Sequence, residues 1–308
     1  MRRGHPLARP LGVAVCWLDR RSQPSVSIVL PAMPAFHTLQ LVIEEAAHLA
    51  TVTLQRPAQA NALTLESLQE LRACFEHLAT LPAVRAVLLA GAGPRFCAGI
   101  ELSALQALLA ANSGPTACEA RRRVALCNSI RQMQDDISAL ERCPLPVVLA
   151  LHGACIGGGI DLACAADIRY AARSTVFSVR EVDVAIVADL GTLARLSPLV
   201  GEGRARELAL TGRNFDGAEA ERIGLVSACF DDAATTLAAA RATAVALASK
   251  SPLAVQGTKA VMLERNKTER NASLEHVAWR NASTLVSADI AEVLRAMAEK
   301  RKPVFARL

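Results

Sequence analysis

Between Cys155 and Leu196 the chain runs CIGGGIDLACAADIRYAARSTVFSVREVDVAIVADLGTLARL, an apolar stretch that carries Asp161, Glu181 and Asp189. Each of the three acids has Val, Ile, Leu or Ala as near neighbours. A segment this apolar has to be buried, and it takes its carboxylates with it. Carboxylates are rarely buried unless something pairs with them. The stretch holds no Lys, and Arg169, Arg180 and Arg195 are too few to pair every acid in it. Unpaired acids in apolar surroundings have raised pKa values and exchange protons near neutral pH. The fold must therefore wrap apolar walls around acids able to shuttle a proton. Plainer alternatives stand beside this reading. Asp161 would simply start a helix, Glu181 would sit on the surface beside Arg180, and Asp189 would cap a helix over Leu190–Leu199.

Composition narrows the rest. With 308 residues, 52% hydrophobic but only 3% aromatic, the core must be built from Ala, Leu and Val, which favours closely packed helices. The net charge of +5 comes without the dense Lys/Arg clusters and interleaved aromatics of a nucleic-acid binder. A mild positive balance suits a phosphate-bearing small molecule. The nine cysteines include no C-x-x-C pair, which argues against a disulfide framework or a zinc site and for a reducing compartment. We expect no metal, no nucleic acid and no membrane span, since no apolar run approaches the roughly 18–20 residues a span needs. Met1–Ala35 holds Arg2, Arg3 and Arg9 but also five prolines, which an amphipathic targeting helix avoids. It reads as a disordered or artefactual extension. A cytoplasmic home of bacterial type is expected. Ala306-Arg307-Leu308 resembles the peroxisomal S-K-L signal and supplies the alternative for a eukaryotic source.

Strand-like runs fall at Thr38–Val42, Ala50–Leu54, Ala86–Ala90, Val147–Leu151, Ile168–Ala171 and Leu225–Ser227. Helical segments lie between them at Thr64–Ala79, Cys118–Leu140 and Gly203–Leu210, and continue through Ala233–Ser249, Leu253–Glu264 and Leu274–Ala298. The alternation indicates an α/β core over residues 36–230, followed by a helical C-terminal subdomain over 231–308. Two glycine-rich junctions each join a strand to a helix: Gly91-Ala-Gly-Pro-Arg-Phe-Cys-Ala-Gly-Ile-Glu101 and His152-Gly-Ala-Cys-Ile-Gly-Gly-Gly-Ile-Asp161. Glycine lets the backbone approach a ligand closely, and a helix start offers free N–H groups. Two such junctions can aim two N–H donors at one oxygen, as an oxyanion hole does. The glycines could equally serve tight helix-strand packing. Neither a dinucleotide fingerprint nor a P-loop is present. His152, Cys97 and Cys155 read as packing residues, and Asp183 as structural.

Taken together these segments resemble the crotonase (enoyl-CoA hydratase/isomerase) superfamily. The resemblance is carried by Arg56-Pro-Ala-Gln-Ala-Asn-Ala-Leu63, Phe96-Cys-Ala-Gly-Ile-Glu-Leu102, the His152–Asp161 junction and Leu210-Thr-Gly-Arg-Asn-Phe-Asp-Gly-Ala-Glu-Ala-Glu-Arg-Ile-Gly-Leu-Val226, and extends from about Phe36 to the C-terminus. Asp161, Asp167-Ile-Arg-Tyr170 and Arg180-Glu-Val-Asp-Val-Ala-Ile-Val-Ala-Asp-Leu-Gly-Thr192 are most similar to its Δ3,5-Δ2,4-dienoyl-CoA isomerase branch. Glu101 stands where that branch commonly has Asp, and Ala185 where it commonly has Gly.

The resemblance implies a crotonase-like ββα spiral core and an acyl-CoA thioester substrate, with CoA belonging to the substrate and no separate cofactor. It implies catalytic acids at Asp161, Glu181 and Asp189, oxyanion-hole amides at Ala98 and Gly158, and substrate contacts along Ala98, Gly99, Ile100, Glu101 and Leu102 and at Gly158. It also implies a homotrimer or homohexamer, and a reaction in fatty-acid β-oxidation. In that scheme Glu181 serves C2 of a 3,5-dienoyl thioester and Asp189 serves C6. The alternatives are an enoyl-CoA hydratase, which would use two acids to hold a water, and a non-catalytic CoA-binding scaffold, whose expected mark is loss of the acids.

Overall fold

The structure is a computed structural model in which residues 35–111 and 118–306 are described. All but the last residue of the Met1–Ala35 extension, and Arg307-Leu308 of the C-terminal tripeptide, lie outside them. In chain order the elements are β1 (Leu39–Glu44), β2 (Leu49–Leu54), α1 (Leu65–Ala79), β3 (Ala86–Gly91), α2 (Leu102–Ala111), α3 (Glu119–Arg142), β4 (Val147–Leu151), β5 (Ala154–Ile156), α4 (Gly158–Ala165), β6 (Ile168–Ala172) and β7 (Val176–Ser178). They continue with α5 (Thr192–Val200), α6 (Glu202–Thr211), α7 (Gly217–Arg222), β8 (Ala228–Phe230), α8 (Ala233–Ala248), α9 (Pro252–Glu264), α10 (Lys267–Thr284) and α11 (Ala288–Ala298).

The main sheet runs β1-β2-β3-β4-β6-β8, antiparallel at β1-β2 and parallel thereafter, and β5 pairs with β7 in a small second sheet. Parallel strands are covered on both faces and read as continuous apolar runs. β3 and β4 (AVLLAG and VVLAL) do so here, with every residue but Gly91 buried. On one face Leu49, Ala86, Leu88, Val148 and Ala150 pack with Ala240, Ala244 and Ala248 of α8. Alanines at four-residue spacing let that helix lie close to the sheet. On the other face Val52, Val87, Leu89 and Leu149 belong to the larger core with Leu68, Leu71 and Phe75 of α1 and Ile130 and Ile137 of α3. The ion pair of Lys259 with Asp167, 2.7 Å, fastens α9, whose other residues are half-buried or exposed.

Two elements differ from the sequence expectation. The strand expected at Leu225–Ser227 lies at Ala228–Phe230, because the N–H groups of Leu225 and Val226 donate to the Ala220 carbonyl at the end of α7. The helix expected over Leu274–Ala298 is two helices. Ser287 interrupts it and caps α11, its hydroxyl accepting from the Ile290 N–H at 3.4 Å. Among the described residues no helix is long and apolar enough to cross a membrane.

Candidate active site

The two glycine junctions meet. The Cys97 N–H donates to the Ala154 carbonyl at 2.9 Å and the Ile156 N–H to the Cys97 carbonyl at 3.1 Å, so the first junction is joined to β5 by a single parallel bridge between Cys97 and Cys155. Gly99, at φ +101°, sits where a side chain would press on the Ile156 carbonyl, and Gly158 sits against Leu63 and Ile100. The glycines therefore serve close packing, and that packing brings two stretches of backbone to the rim of one cavity.

Hydrogen-bond accounting decides which amides are free there. The Ala98 N–H is donated to the Ala60 carbonyl at 3.1 Å, so Ala98 is not a free donor; this corrects its place in the expected oxyanion hole. The neighbouring amides of Leu63 and Glu101 are also spent, on Gly99 and Leu63 carbonyls at 2.8 Å. The Ile100 and Gly158 N–H groups find no acceptor among the described residues, and Gly158 opens α4, where the first N–H groups of a helix have no internal partner. Both residues line the cavity. A second correction concerns Glu101, which does not line it. Its carboxylate pairs with Arg56 at 2.7 Å and accepts from the Ser103 hydroxyl, also at 2.7 Å. Ala98, Gly99 and Leu102 are on the wall as expected.

Asp161, Glu181 and Asp189 all face this cavity, whose volume is about 180 Å³. The remaining wall is largely apolar, including Leu68, Leu105, Met133, Ile186, Leu190 and Leu285. Each acid is held differently. Asp161, 1% exposed, accepts at Oδ1 from the Thr192 N–H (2.6 Å) and the Thr192 hydroxyl (2.7 Å). It caps α5 across space, since the N-cap residue Gly191 has no side chain to do so. Burial raises its pKa to about 6, against the opposing Thr192 bonds and the Arg195 charge. Glu181 opens a short 3-10 turn, and its buried Oε2 has no hydrogen-bond partner. Burial, then the charges of Asp161 and Asp189, push it up to about 8. Asp189 accepts at Oδ2 from the Asn281 amide of α10 at 2.6 Å, and its carbonyl accepts from Gln134 of α3 at 2.7 Å. Burial raises it to about 7, with the Asn281 bond opposing.

The plainer readings of Glu181 and Asp189 fail on geometry, whereas Asp161 does lie in the first turn of α4. Glu181 is not Arg180's partner; that guanidinium pairs with Asp183 at 3.3 Å. The helix after Asp189 begins at Thr192 and is capped by Asp161. Cys97 and Cys155 are fully buried, with burial raising both thiols, and the His152 ring bonds the Gly93 carbonyl. Sequence reasoning missed Thr192, Gln134 and Asn281. The last two had a signal: each is a lone amide on an apolar helical stripe, Gln134 among Ile130, Met133 and Ile137, and Asn281 among Val277, Ala278 and Ala282. The described residues hold one cluster with metal-ligand spacing, His37, Glu66 and Glu70. None of the three lines the cavity, and Glu70 already accepts from the N–H groups of His37 and Thr38.

This fold recurs in known proteins. Residues 44–307 match the enoyl-CoA hydratase/isomerase family, and the chain belongs to that family. Within it the chain is 41% identical over 283 residues to an Arabidopsis thaliana protein named Δ(3,5)-Δ(2,4)-dienoyl-CoA isomerase, peroxisomal, covering 90% of this chain and 99% of that one. It is 40% identical over 256 residues to the human protein named Δ(3,5)-Δ(2,4)-dienoyl-CoA isomerase, mitochondrial, covering 83% of this chain and 77% of that one. A crystal structure of an enoyl-CoA hydratase/isomerase from Pseudoalteromonas atlantica superposes with a TM-score of 0.75 at 28% identity, covering 88% of this chain and all of that one.

Proposed function

We propose that the protein is a Δ3,5-Δ2,4-dienoyl-CoA isomerase of fatty-acid β-oxidation, acting by proton transfer between carboxyl groups. The observation that carries this is the meeting of three acids and two unpartnered amide N–H groups on one apolar cavity. A thioester carbonyl seated between Ile100 N–H and Gly158 N–H gains most when its oxygen becomes anionic, and losing one such donor typically costs about 3–4 kcal/mol. The C2 proton is thereby acidified. Glu181 takes it, the charge spreads along the conjugated chain, and Asp189 delivers a proton at C6. One proton leaves and one arrives, so the reaction consumes no co-reactant.

The cycle needs one of the pair ionised and the other protonated. Glu181 at about 8 and Asp189 at about 7 leave the resting proton on Glu181, and moving it to Asp189, which frees Glu181 as the base, costs only about 1.4 kcal/mol. Asp161, engaged by Thr192, keeps the lowest of the three values and supplies a nearby negative charge that keeps a proton on its neighbours. The same bonds commit its Oδ1, which disfavours its use in holding a water.

We also infer a homotrimer or homohexamer. α9 leaves Leu253, Val261 and Met262 each more than two-thirds exposed, and a second copy would cover them. The compartment reading stays cytoplasmic, with Ala306-Arg307-Leu308 as the peroxisomal alternative; fusing those residues to a fluorescent reporter separates the two. The activity is tested by comparing turnover of 3,5-dienoyl-CoA with hydration of a 2-enoyl-CoA by the same preparation. Fast isomerisation with slow hydration is expected. The reverse ranking would make the protein a hydratase, and CoA binding without either turnover would make it a scaffold.

A further inference from the structure

Asp189 is gripped by two buried amides from two different helices. Asn281 of α10, 1% exposed, donates to the Val187 carbonyl at 2.8 Å and to Asp189 Oδ2 at 2.6 Å. A carbonyl oxygen can only accept, so the Val187 contact fixes which end of the Asn281 amide is the nitrogen. The second N–H is thereby aimed at Asp189 as a donor. Gln134 of α3 is fixed in the same way, by the carbonyls of Leu274 (3.0 Å) and Asp189 (2.7 Å). Beside Asn281 the carboxyl meets only the backbone N–H of its own residue among the described donors, and Asp189 lines the cavity. Glu181, by contrast, has no donor at its buried Oε2.

We propose that Asn281 is a positioning residue: its amide holds the Asp189 carboxyl toward the substrate and stabilises the carboxylate left there once its proton has gone to C6. The inference rests on reading the cavity as a dienoyl-thioester site and assigns the C-terminal helix a part in the chemistry. A donor to a carboxylate is a charge-assisted bond, stronger than a neutral one. It distinguishes two acids that otherwise share one apolar pocket, so that they accept and release the proton in a defined order. The charged groups facing Asp189 are Asp161 of α4 and Glu181 of the 3-10 turn, both of which disfavour its ionisation; α3 and α10 present it with amides.

The test is a carbon-13 titration of the Asp189 carboxyl in ligand-free enzyme, comparing wild type with Asn281→Leu and Asn281→Ala. The inflection should move upward by about one unit or more in both variants. On 3,5-dienoyl-CoA, kcat should fall roughly 10- to 100-fold, or about 1.4 to 2.7 kcal/mol, with KM little changed. An unmoved inflection in either folded variant overturns the proposal. Should neither variant fold, the Asn281 side-chain N–H resonances of the wild type decide it: they should shift with the Asp189 inflection, and their failure to do so overturns it. An inactive wild type would refute the isomerase reading instead, and the titration would still judge Asn281.

Discussion

At the scale of single residues, the three acids differ in what satisfies them. From other residues Asp161 receives two donors, Asp189 one, and Glu181 Oε2 none. The pKa values follow that order, from about 6 through about 7 to about 8. A stability consequence follows for Glu181. Its folded pKa is raised, so between about 4.5 and about 8 the folded state keeps a proton that the unfolded state has lost. Stability contributed by this group is full below that window and declines through it by about 1.4 kcal/mol per pH unit. Glu181→Gln cannot ionise. Thermal melts should show it more stable than wild type at pH 8, with the gap shrinking toward pH 4. A gap of equal size at both pH values would contradict the burial of this carboxyl. The same variant should lose isomerase activity by 100-fold or more, on the order of what general acid-base groups contribute.

At the scale of elements, the short 3-10 turn that opens with Glu181 ends on Ala185 with φ +58°, in the left-handed region. A residue with a Cβ is strained there by about 1 kcal/mol. The Gly that the family resemblance expects at this position thus has a backbone reason, and this chain carries a small strain beside the acid proposed to be catalytic. Ala185→Gly should stabilise the protein by about 0.5–1 kcal/mol, allowing for the extra freedom Gly gives the unfolded chain. Urea denaturation would measure it, and a loss of stability would show that the turn is set by contacts of the Ala185 methyl.

Much of this element-level design was legible in the residues. The helices expected over Thr64–Ala79 and Ala233–Ser249 form at Leu65–Ala79 and Ala233–Ala248, capped by Thr64 and Asp232. The apolar runs of β3 and β4 read directly as parallel strands, because both their faces are covered. The proposed oxyanion donors were legible only to within two residues. Choosing Ile100 over Ala98 depends on which amide is consumed by the Ala60 carbonyl, a contact across 38 residues of chain that no local pattern encodes. The partners Thr192 and Asn281 lie 31 and 92 residues from the acids they hold, so chain folding alone brings them together.

At the scale of the whole molecule, the apolar residues of α9 set an expectation for assembly. The one buried side chain of that helix is Lys259, anchored to Asp167 and the Leu145 carbonyl, so the helix is tied down by an ion pair while its apolar residues face outward. Replacing Val261 and Met262 together with Glu should dissociate the assembly to monomers in sedimentation, with the wild type sedimenting as a trimer or larger. A wild-type monomer at micromolar concentration would contradict the oligomer. Leu285, just beyond the end of α10, lines the cavity, and Asn281 of that helix reaches Asp189, so α10 contributes to the site of its own chain.

The central claim is that a proton passes between carboxyl groups across this cavity. It is tested most directly by following the absorbance of the conjugated 2,4-dienoyl thioester when enzyme is added to 3,5-octadienoyl-CoA, with wild type beside Asp189→Asn. A rise with the wild type that collapses in the variant is the predicted result. An undiminished rise with Asp189→Asn would contradict the claim, because an amide at that position has no proton to deliver to C6.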